Sequence, residues 1–488
     1  MIGSRWSARA VAVAAAAALA ACAVGPDYVK PAVEMPPAWK LEAPWRTGAP
    51  SDAEIKGPWW QRFGDAELDR LQALALANNP TLAIANARLT QARANVDSVS
   101  AARFPQLALG ARAQRLKISA NRPLSNYSSP NFSTVQNDAA LSFTVNYEAD
   151  LAGRVQRTVE GARASAEQSA ADFENTRLLL SADLASAYFN LRELDTEIDV
   201  LARSIALQQR AFDLISARHD LGAASGLDVA QQQALLDNTR VQVDVLARQR
   251  SQFEHAIATL TGSAAPQFAL APEVRAFAPP AVPLGVPSDV LERRPDVASA
   301  ERAMAAANAQ IGVAKAAFYP SVLLSPSIGV DSRTLGALFD APSVLWSIGA
   351  SATEVLFDGG RLNANVNFAR AGYDATVANY RRVVLTAMQE VEDGITGSAS
   401  LERAHAQALG AVASARRVLD MATARYDGGA TTYLDVITAQ QSLLVAERQA
   451  AQLLGQRLLT SVFLIKALGG DWQAGPRVSA AAASAPGS

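Results

Sequence analysis

The chain repeats itself, and the repeat constrains everything else. Ala217-Arg218-His219-Asp220-Leu221-Gly222-Ala223 is matched by Ala424-Arg425-Tyr426-Asp427-Gly428-Gly429-Ala430, and Leu227-Asp228-Val229 by Leu434-Asp435-Val436, both 207 residues apart. The same offset pairs Gly153-Arg154 with Gly360-Arg361 and Gly262 with Gly469, so 109 residues (154 to 262) align without a gap. Upstream, two alanine-rich stretches, Pro80 to Pro105 and Pro295 to Pro320, end in Ala-Arg-Phe-Pro and Ala-Phe-Tyr-Pro. They stand 215 apart, which places an eight-residue difference between the two blocks. Two long copies describe a duplicated unit. Each copy reads as helix, two strands, very long helix, turn and long returning helix.

The strand segments alternate with period two, the mark of a surface with two unlike faces. Leu141, Phe143, Val145 and Tyr147 alternate with Ser142, Thr144, Asn146 and Glu148. Val344, Trp346, Ile348 and Ala350 alternate with Leu345, Ser347, Gly349 and Ser351. The partners are weaker, with Leu107 and Leu109, then Val322, Leu324, Ile328 and Val330, on one face. The expected strands are 106–118 and 138–149 in the first copy, 321–331 and 344–357 in the second. Taken alone they suit an antiparallel sheet half buried in a soluble core. That reading is the favoured one until the N-terminal signal is considered; after a lipoprotein signal the balance reverses toward an outer-membrane barrel with apolar residues outward and polar residues inward.

The helices are too long for a globule. Arg154 to Arg218 holds 65 residues without proline, or about 98 Å at 1.5 Å per residue. Leu184, Leu191, Ile198, Ile205, Phe212 and Ala187, Leu194, Leu201, Gln208, Ile215 fill the seam positions of five heptads with one polar residue, a coiled-coil signal. The returning helix continues with Leu236, Thr239, Val243, Leu246, Arg250, Phe253, Ile257 and Leu260. Its second-copy counterpart carries Leu443, Ala446, Ala450, Leu453, Arg457, Thr460, Leu464 and Ala467, so Arg250 and Arg457 are equivalent. The second long helix is poorer at its seam (Val391, Ser398, His405, Val412, Leu419), which makes that hairpin the less tightly held one.

The N-terminus reads as an address. Arg5 and Arg9 precede the apolar run Ala10 to Ala21, too short to span a bilayer and shaped like a secretory signal. It ends in Leu19-Ala20-Ala21-Cys22, and Cys22 is the only cysteine in the chain. That pattern resembles a lipobox, so residues 1–21 are expected to be removed and Cys22 acylated, with N-acyl and S-diacylglycerol chains as the only non-protein groups. The plainer alternative is an ordinary signal peptide with a chance cysteine. Residues 22–58 then carry seven prolines and read as an extended tether. No stretch reaches the 18 or so apolar residues of a spanning helix. A membrane-spanning form of this chain therefore spans with strands. Four strands cannot close a membrane barrel, whose smallest members have about eight, and open edges are not tolerated in lipid. Other copies of the chain must complete it: two give a filled barrel, three give twelve strands and room for a bore.

Composition excludes other classes. There are 44 Lys+Arg against 46 Asp+Glu and only three His, so no basic face for nucleic acid and no His/Cys metal cage is expected. No GxSxG, HExxH or Walker pattern occurs, so nothing nominates a catalytic residue and the chain is not expected to be an enzyme.

At this point the sequence resembles the TolC-type outer-membrane factors, in the lipoprotein subclass labelled NodT- or OprM-like. The residues that carry the resemblance are Cys22-Ala-Val-Gly-Pro-Asp-Tyr28, Trp59-Trp60-Gln-Arg-Phe-Gly-Asp65, Leu284-Gly-Val-Pro-Ser-Asp-Val-Leu-Glu-Arg-Arg-Pro-Asp296 and the turns 217–229 and 424–436. The resemblance covers the whole mature chain. It implies a mainly α fold with a membrane β-barrel: a homotrimer whose 12-stranded barrel, four strands per chain, continues into a helical periplasmic tunnel. Residues 59–79, 263–294 and the tail 470–488 would form a belt around that tunnel. The repeats would be 80–262, with its hairpin 154–262, and 295–469, with its hairpin 361–469. It also implies a lipid-anchored, barrel-inserted outer-membrane location. A periplasmic adaptor and an inner-membrane pump of RND, ABC or MFS type would be the partners, and small toxic compounds or drugs the cargo.

The resemblance further places a periplasmic aperture at the two interhelical turns, closed by Arg425, Tyr426 and Asp435 with Asp228 as counterpart. Carboxylates gathered there would repel one another and favour cations. The adaptor would meet Arg218, Gly222, Ser225, Gly226, Gly429 and Thr432. A structural reading stands beside this: Ser225…Asp228 and Thr432…Asp435 are both capping-box patterns that start the returning helices. Thr431 and Thr438 stand where relatives carry Arg and Asp, so the lock between hairpins is expected to be weaker or built from other residues. Gly222, Gly226, Gly428 and Gly429 are read as turn glycines, Asp358-Gly359-Gly360-Arg361 as a strand-to-helix bend, and His219 as a tip residue. Glu390, Glu392 and Asp393 are read as a solvated or tunnel-lining acidic face. Two rival functions remain: a protein-secretion duct of the same architecture, and a non-conducting envelope spacer.

Overall fold

The computed structural model describes residues 24–30, 58–119, 134–280 and 294–470. Cys22, most of the tether, residues 284–293 of the long motif and the tail beyond residue 470 lie outside the described residues. The elements run as α1 (Ala66–Asn78), α2 (Pro80–Ser100), β1 (Gln106–Ile118), β2 (Thr134–Ala149), α3 (Arg154–Asp220), α4 (Gly226–Leu260), α5 (Pro295–Ala316), β3 (Ser321–Leu324), β4 (Ser327–Ser332), β5 (Val344–Ser347), β6 (Ala350–Thr353), α6 (Arg361–Asp427) and α7 (Tyr433–Ala467). The duplication is reproduced in the helices: α3 and α6 are each 67 residues, α4 and α7 each 35, all displaced by 207. Each returning helix ends on a left-handed glycine, Gly262 or Gly469. At Gly262 a side chain would also come within 2.5 Å of the Asn78 carbonyl oxygen, so the position admits glycine alone.

Two compact units are distinguished. The first gathers residues 1–31, 89–168 and 300–379 and holds every strand. β1 pairs with β2 along its whole length, β2 pairs on its other edge with β3 and β4, and these pair with β6 and β5, all antiparallel. The two second-copy strands, expected to be continuous over 321–331 and 344–357, are each interrupted. The register nonetheless survives the gap, since Leu324 faces Ala350 and Ser327 faces Ser347 with two residues between on each side. Pro326 explains the interruption, because it has no N–H to give the ladder. Its carbonyl still accepts from Val145 N at 2.9 Å, and Ser325 N donates to Gly349 O at 3.0 Å. Residues 354–357 are not strand. At the sheet-to-helix bends, Asp150 accepts from Val155 N and Gln156 N, and Asp358 from Gly360 N and Leu362 N, each capping the long helix that follows.

The second unit gathers the described residues within 58–88, 169–299 and 380–470 and contains most of the helical hairpins. Its largest core joins Trp59, Phe63, Leu68, Leu71, Leu184, Tyr188, Phe189, Leu191 and Ile257 with Ile395, Leu458 and Val462. The Trp59–Asp65 motif is thereby explained. Trp59 and Phe63 enter the core, and Asp65 caps α1 through Glu67 N and Leu68 N while accepting the Tyr188 hydroxyl at 2.7 Å. Of the expected seam, Leu184, Leu191, Leu201, Gln208, Ile215, Leu236, Thr239 and Ile257 are buried. Arg294, in the last described part of the long motif, donates to Glu390 at 2.7 Å and to the Ala467 carbonyl at 2.9 Å. Glu390 is therefore a structural anchor, which corrects its reading as part of a solvated face.

One carboxyl in this unit is strained by its surroundings. The Glu193 side chain on α3 lies across Gly455 of α7, where any side chain would collide with it. Burial, aided by the charge of Glu197, pushes its carboxyl up to about 7. Glu197 in turn accepts from Arg448 at 2.9 and 3.0 Å and from Gln452. A carboxyl raised in the folded state contributes stability that is full below its ordinary value near 4.5 and is lost as pH rises through 7. The thermal midpoint should therefore fall between about pH 5 and pH 8, and Glu193→Gln should flatten that slope. Circular dichroism melts of the detergent-solubilised protein at several pH values measure both, and an unchanged slope in the variant would contradict the assignment.

Candidate functional site

Two surfaces carry the functional argument. The first is the sheet. Residues opposite one another in antiparallel strands share a face, and the register aligns Leu109, Phe143, Ile328 and Trp346 in one row across four strands. Ala111, Leu141, Val330 and Val344 form the next row, and Leu107 and Val145 begin a third. This apolar face is open: Trp346 is 70% exposed and Ile328 57%. The rows between are small or polar, with Ala108, Thr144, Ser327 and Ser347 in one and Arg112, Ala140 and Asp331 in another. On that face Asp138 accepts from Arg112 at 2.8 Å and from Gln114 at 2.6 Å. Among the described residues no strand pairs with the outer edge of β1 or of β5 and β6.

The second surface is the pair of interhelical turns. Both are built alike. Gly222 and Gly429 take φ near +75°, and the amides of Ala223 and Ala430 reach back to the carbonyls of Arg218 and Arg425 at 2.7 and 2.8 Å. The Gly222 and Gly429 amides bond to His219 O and Tyr426 O, completing two matching Schellman ends. Gly428 lies in the second turn without entering the left-handed region, whereas Gly226 begins α4, which corrects its reading as a turn glycine. The helix starts then diverge. Ser225 and Asp228 form the full capping box, at 3.2 Å in both directions. Thr432 makes no side-chain cap, and Asp435 instead accepts the Thr431 hydroxyl. The expected second capping box is therefore absent, and the Thr431 hydroxyl donates to the Asp435 carboxylate in place of a cap on a backbone amide. Arg425 reaches only its own turn, donating to Ala430 O at 3.4 Å, and His219 bonds within its own turn to Ala224 O at 2.9 Å.

The link between hairpins runs through other residues. Arg218 donates to Asp427 at 2.9 Å and lies 5.3 Å from the ring centre of Tyr426. Tyr426 packs on Tyr433 with ring centres 5.0 Å apart, and the buried Tyr433 hydroxyl donates to Gln232 Oε1 at 3.0 Å. Gln232 passes the connection on to the Gln208 carbonyl at 2.8 Å. Burial pushes the Tyr433 phenol up to about 12. Beneath lie Ile215, Leu235, Leu419, Val436, Ile437 and Leu443. Asp427, Tyr433 and Gln232 were not singled out by sequence. The available signal was asymmetry, because Tyr433 stands where the first repeat has Gly226. Leu221, Leu227 and Leu434 are exposed beside the turns.

Comparison with known proteins places the chain in a family. Residues 71–263 and 286–470, the two repeats, match the family described as outer membrane efflux protein. The chain belongs to that family. Outer membrane protein OprJ of Pseudomonas aeruginosa is 34% identical over 461 residues, 94% of each chain. The pyoverdine export outer membrane protein OpmQ of the same organism is 33% identical, covering 94% of this chain and 96% of its own. Among solved structures, the outer-membrane channel OprN superposes with a TM-score of 0.85 at 30% identity, over 93% of this chain and all of the other. This efflux channel component thus has the TolC-type fold and works at the outer membrane.

Proposed function

We propose that three copies of this chain close a 12-stranded barrel in the outer membrane and that the bore is a passive export duct for small toxic compounds. The observation that carries the reading is the sheet: two continuous strands and two interrupted ones (β3 with β4, β5 with β6), an exposed apolar face, and, among the described residues, two edges without partners. Lipid tolerates neither an open edge nor an unsatisfied amide, so closure must come from identical neighbours. Acylation of Cys22 would anchor each copy, and several lipid chains together make a firm anchor. An inner-membrane pump would supply energy and a periplasmic adaptor would dock on the turns, where Gly222, Ser225, Gly226, Gly429 and Thr432 are exposed or half-exposed. Small-molecule cargo is supported by the export of pyoverdine named for OpmQ.

The gate of this duct is the link from Arg218 to Asp427 and Tyr426, with Tyr433 behind it; Asp228, Arg425 and Asp435 add charge around the aperture. An exposed ion pair and a cation–π contact are each modest, but three copies act on one opening. Planar-bilayer recordings of the purified protein test this. The native channel should conduct rarely, and Arg218→Ala or Asp427→Asn should raise the open fraction by about fivefold or more. A preparation that never conducts, even with both changes, would remove the duct reading.

A further inference from the structure

We propose that residues 24–30 are a strap that staples the two repeats together beside the sheet, with Arg157 as its buckle. Each end of the strap is tied to a different repeat. Val24 N donates to the Ala152 carbonyl at 3.1 Å, just after β2 of the first repeat. The Pro26 carbonyl accepts from Asn308 on α5 at 2.9 Å, and Lys30 pairs with Glu301 of α5 at 2.7 Å, both in the second repeat. Between them Arg157 of α3 donates to Asp27 at 2.8 Å and to the Gly25 carbonyl at 3.4 Å, while its other nitrogen holds Glu160 at 2.8 Å.

The fit is close enough to dictate residue type. A side chain on Gly25 would stand 2.7 Å from the Cα of Gly312, and one on Gly312 would stand 2.7 Å from Cγ of Arg157. Strap, α5 and the Arg157 stem are thus stacked in direct contact, and Gly25 adopts φ of +120°, which other residues rarely enter. The Arg157 side chain is only 6% exposed, although Asp27 is 90% exposed. A buried guanidinium needs its partners, so undocking the strap leaves Arg157 with Glu160 alone among the carboxylates named here.

The helices bridged in this way already meet at Gly161 and Ala309, yet their residues are about 150 positions apart in sequence. The strap supplies cross-links where α3 of the first repeat and α5 of the second lie side by side. It also makes the α3–α5 joint the point at which any pull on the chain before residue 24 is felt. None of this depends on whether the protein conducts.

Hydrogen exchange read by mass spectrometry on the full-length, membrane-extracted protein tests the strap. In Gly25→Ala and in Arg157→Ala, amides of residues 24–30 and of α5 around 303–314 should exchange about tenfold faster, while the hairpin turns at 215–235 stay unchanged. Gly25→Ala keeps the Arg157 guanidinium and its carboxylate partners in the chain, so it keeps the test usable if Arg157→Ala fails to fold. A freed strap with α5 unchanged would show a passive tail and overturn the proposal. So would unchanged exchange in residues 24–30.

Discussion

Ile328→Lys should abolish insertion of the protein into the outer membrane, whereas Ser327→Lys, one residue away, should leave most of it there. Ile328 stands between Phe143 and Trp346 in the central row of the apolar face. Ser327 stands between Thr144 and Ser347 on the opposite face, its hydroxyl 2.8 Å from that of Ser347. A lysine on the lipid face costs about 2–4 kcal/mol near the midplane, and much less on the lumen face. An assembly of three identical chains meets that cost three times. Outer-membrane fractionation, followed by a gel that preserves the unboiled oligomer, separates the outcomes. Equal loss from both substitutions, or from neither, would mean that the two faces are not lipid and lumen.

Asp195→Ala should be among the most destabilising single changes in the helical unit, and its counterpart Glu402→Ala should be nearly silent. The Asp195 side chain is 1% exposed and accepts from Arg192 at 2.9 Å, Arg250 at 2.6 Å and Glu273 N at 3.1 Å. The two arginines also hold the Leu270 and Ala271 carbonyls, tying residues 270–273 onto the hairpin. Without the carboxylate, the buried Arg192 and the largely buried Arg250 lose the partner they share and keep only Glu273 and Glu254, at 3.3 and 3.2 Å, a change worth about 3 kcal/mol. Glu402 occupies the same place in the second repeat but lies 3.8 Å from Arg457 and is half exposed. Exposed pairs at that separation contribute about 0–1 kcal/mol. Denaturant melts of the two variants measure the contrast. Similar midpoints would show that the Asp195 network does not secure the belt segment.

These two cases also show where sequence reading succeeds. The offset of 207 transferred helix lengths, turn glycines and seam positions from one repeat to the other, because backbone geometry depends on local residue type. Alternation located the strands for the same reason, and the one local signal underweighted was Pro326, which interrupts two strands at once. What the duplication concealed is asymmetry in partnership. Arg218 and Arg425 are equivalent in sequence, yet only Arg218 crosses to the other hairpin. Asp228 closes a capping box and Asp435 does not. Asp195 is buried under residues 270–273, a segment whose place could not be inferred from periodicity. The capping difference is local, but the Arg218 and Asp195 contacts depend on which element comes to lie alongside, and that is decided by packing among residues more than about 50 positions apart. The helices and strands were legible; the contacts between the hairpin turns were not.

Native mass spectrometry of the protein extracted gently from membranes tests the central claim most directly. Unpaired strand edges on a sheet with one apolar face require identical neighbours, and a bore requires three of them. The mass should be that of three chains, with no stable monomer. A folded, membrane-extracted single chain would contradict the account, because such a chain would have to satisfy both edges of its sheet by itself.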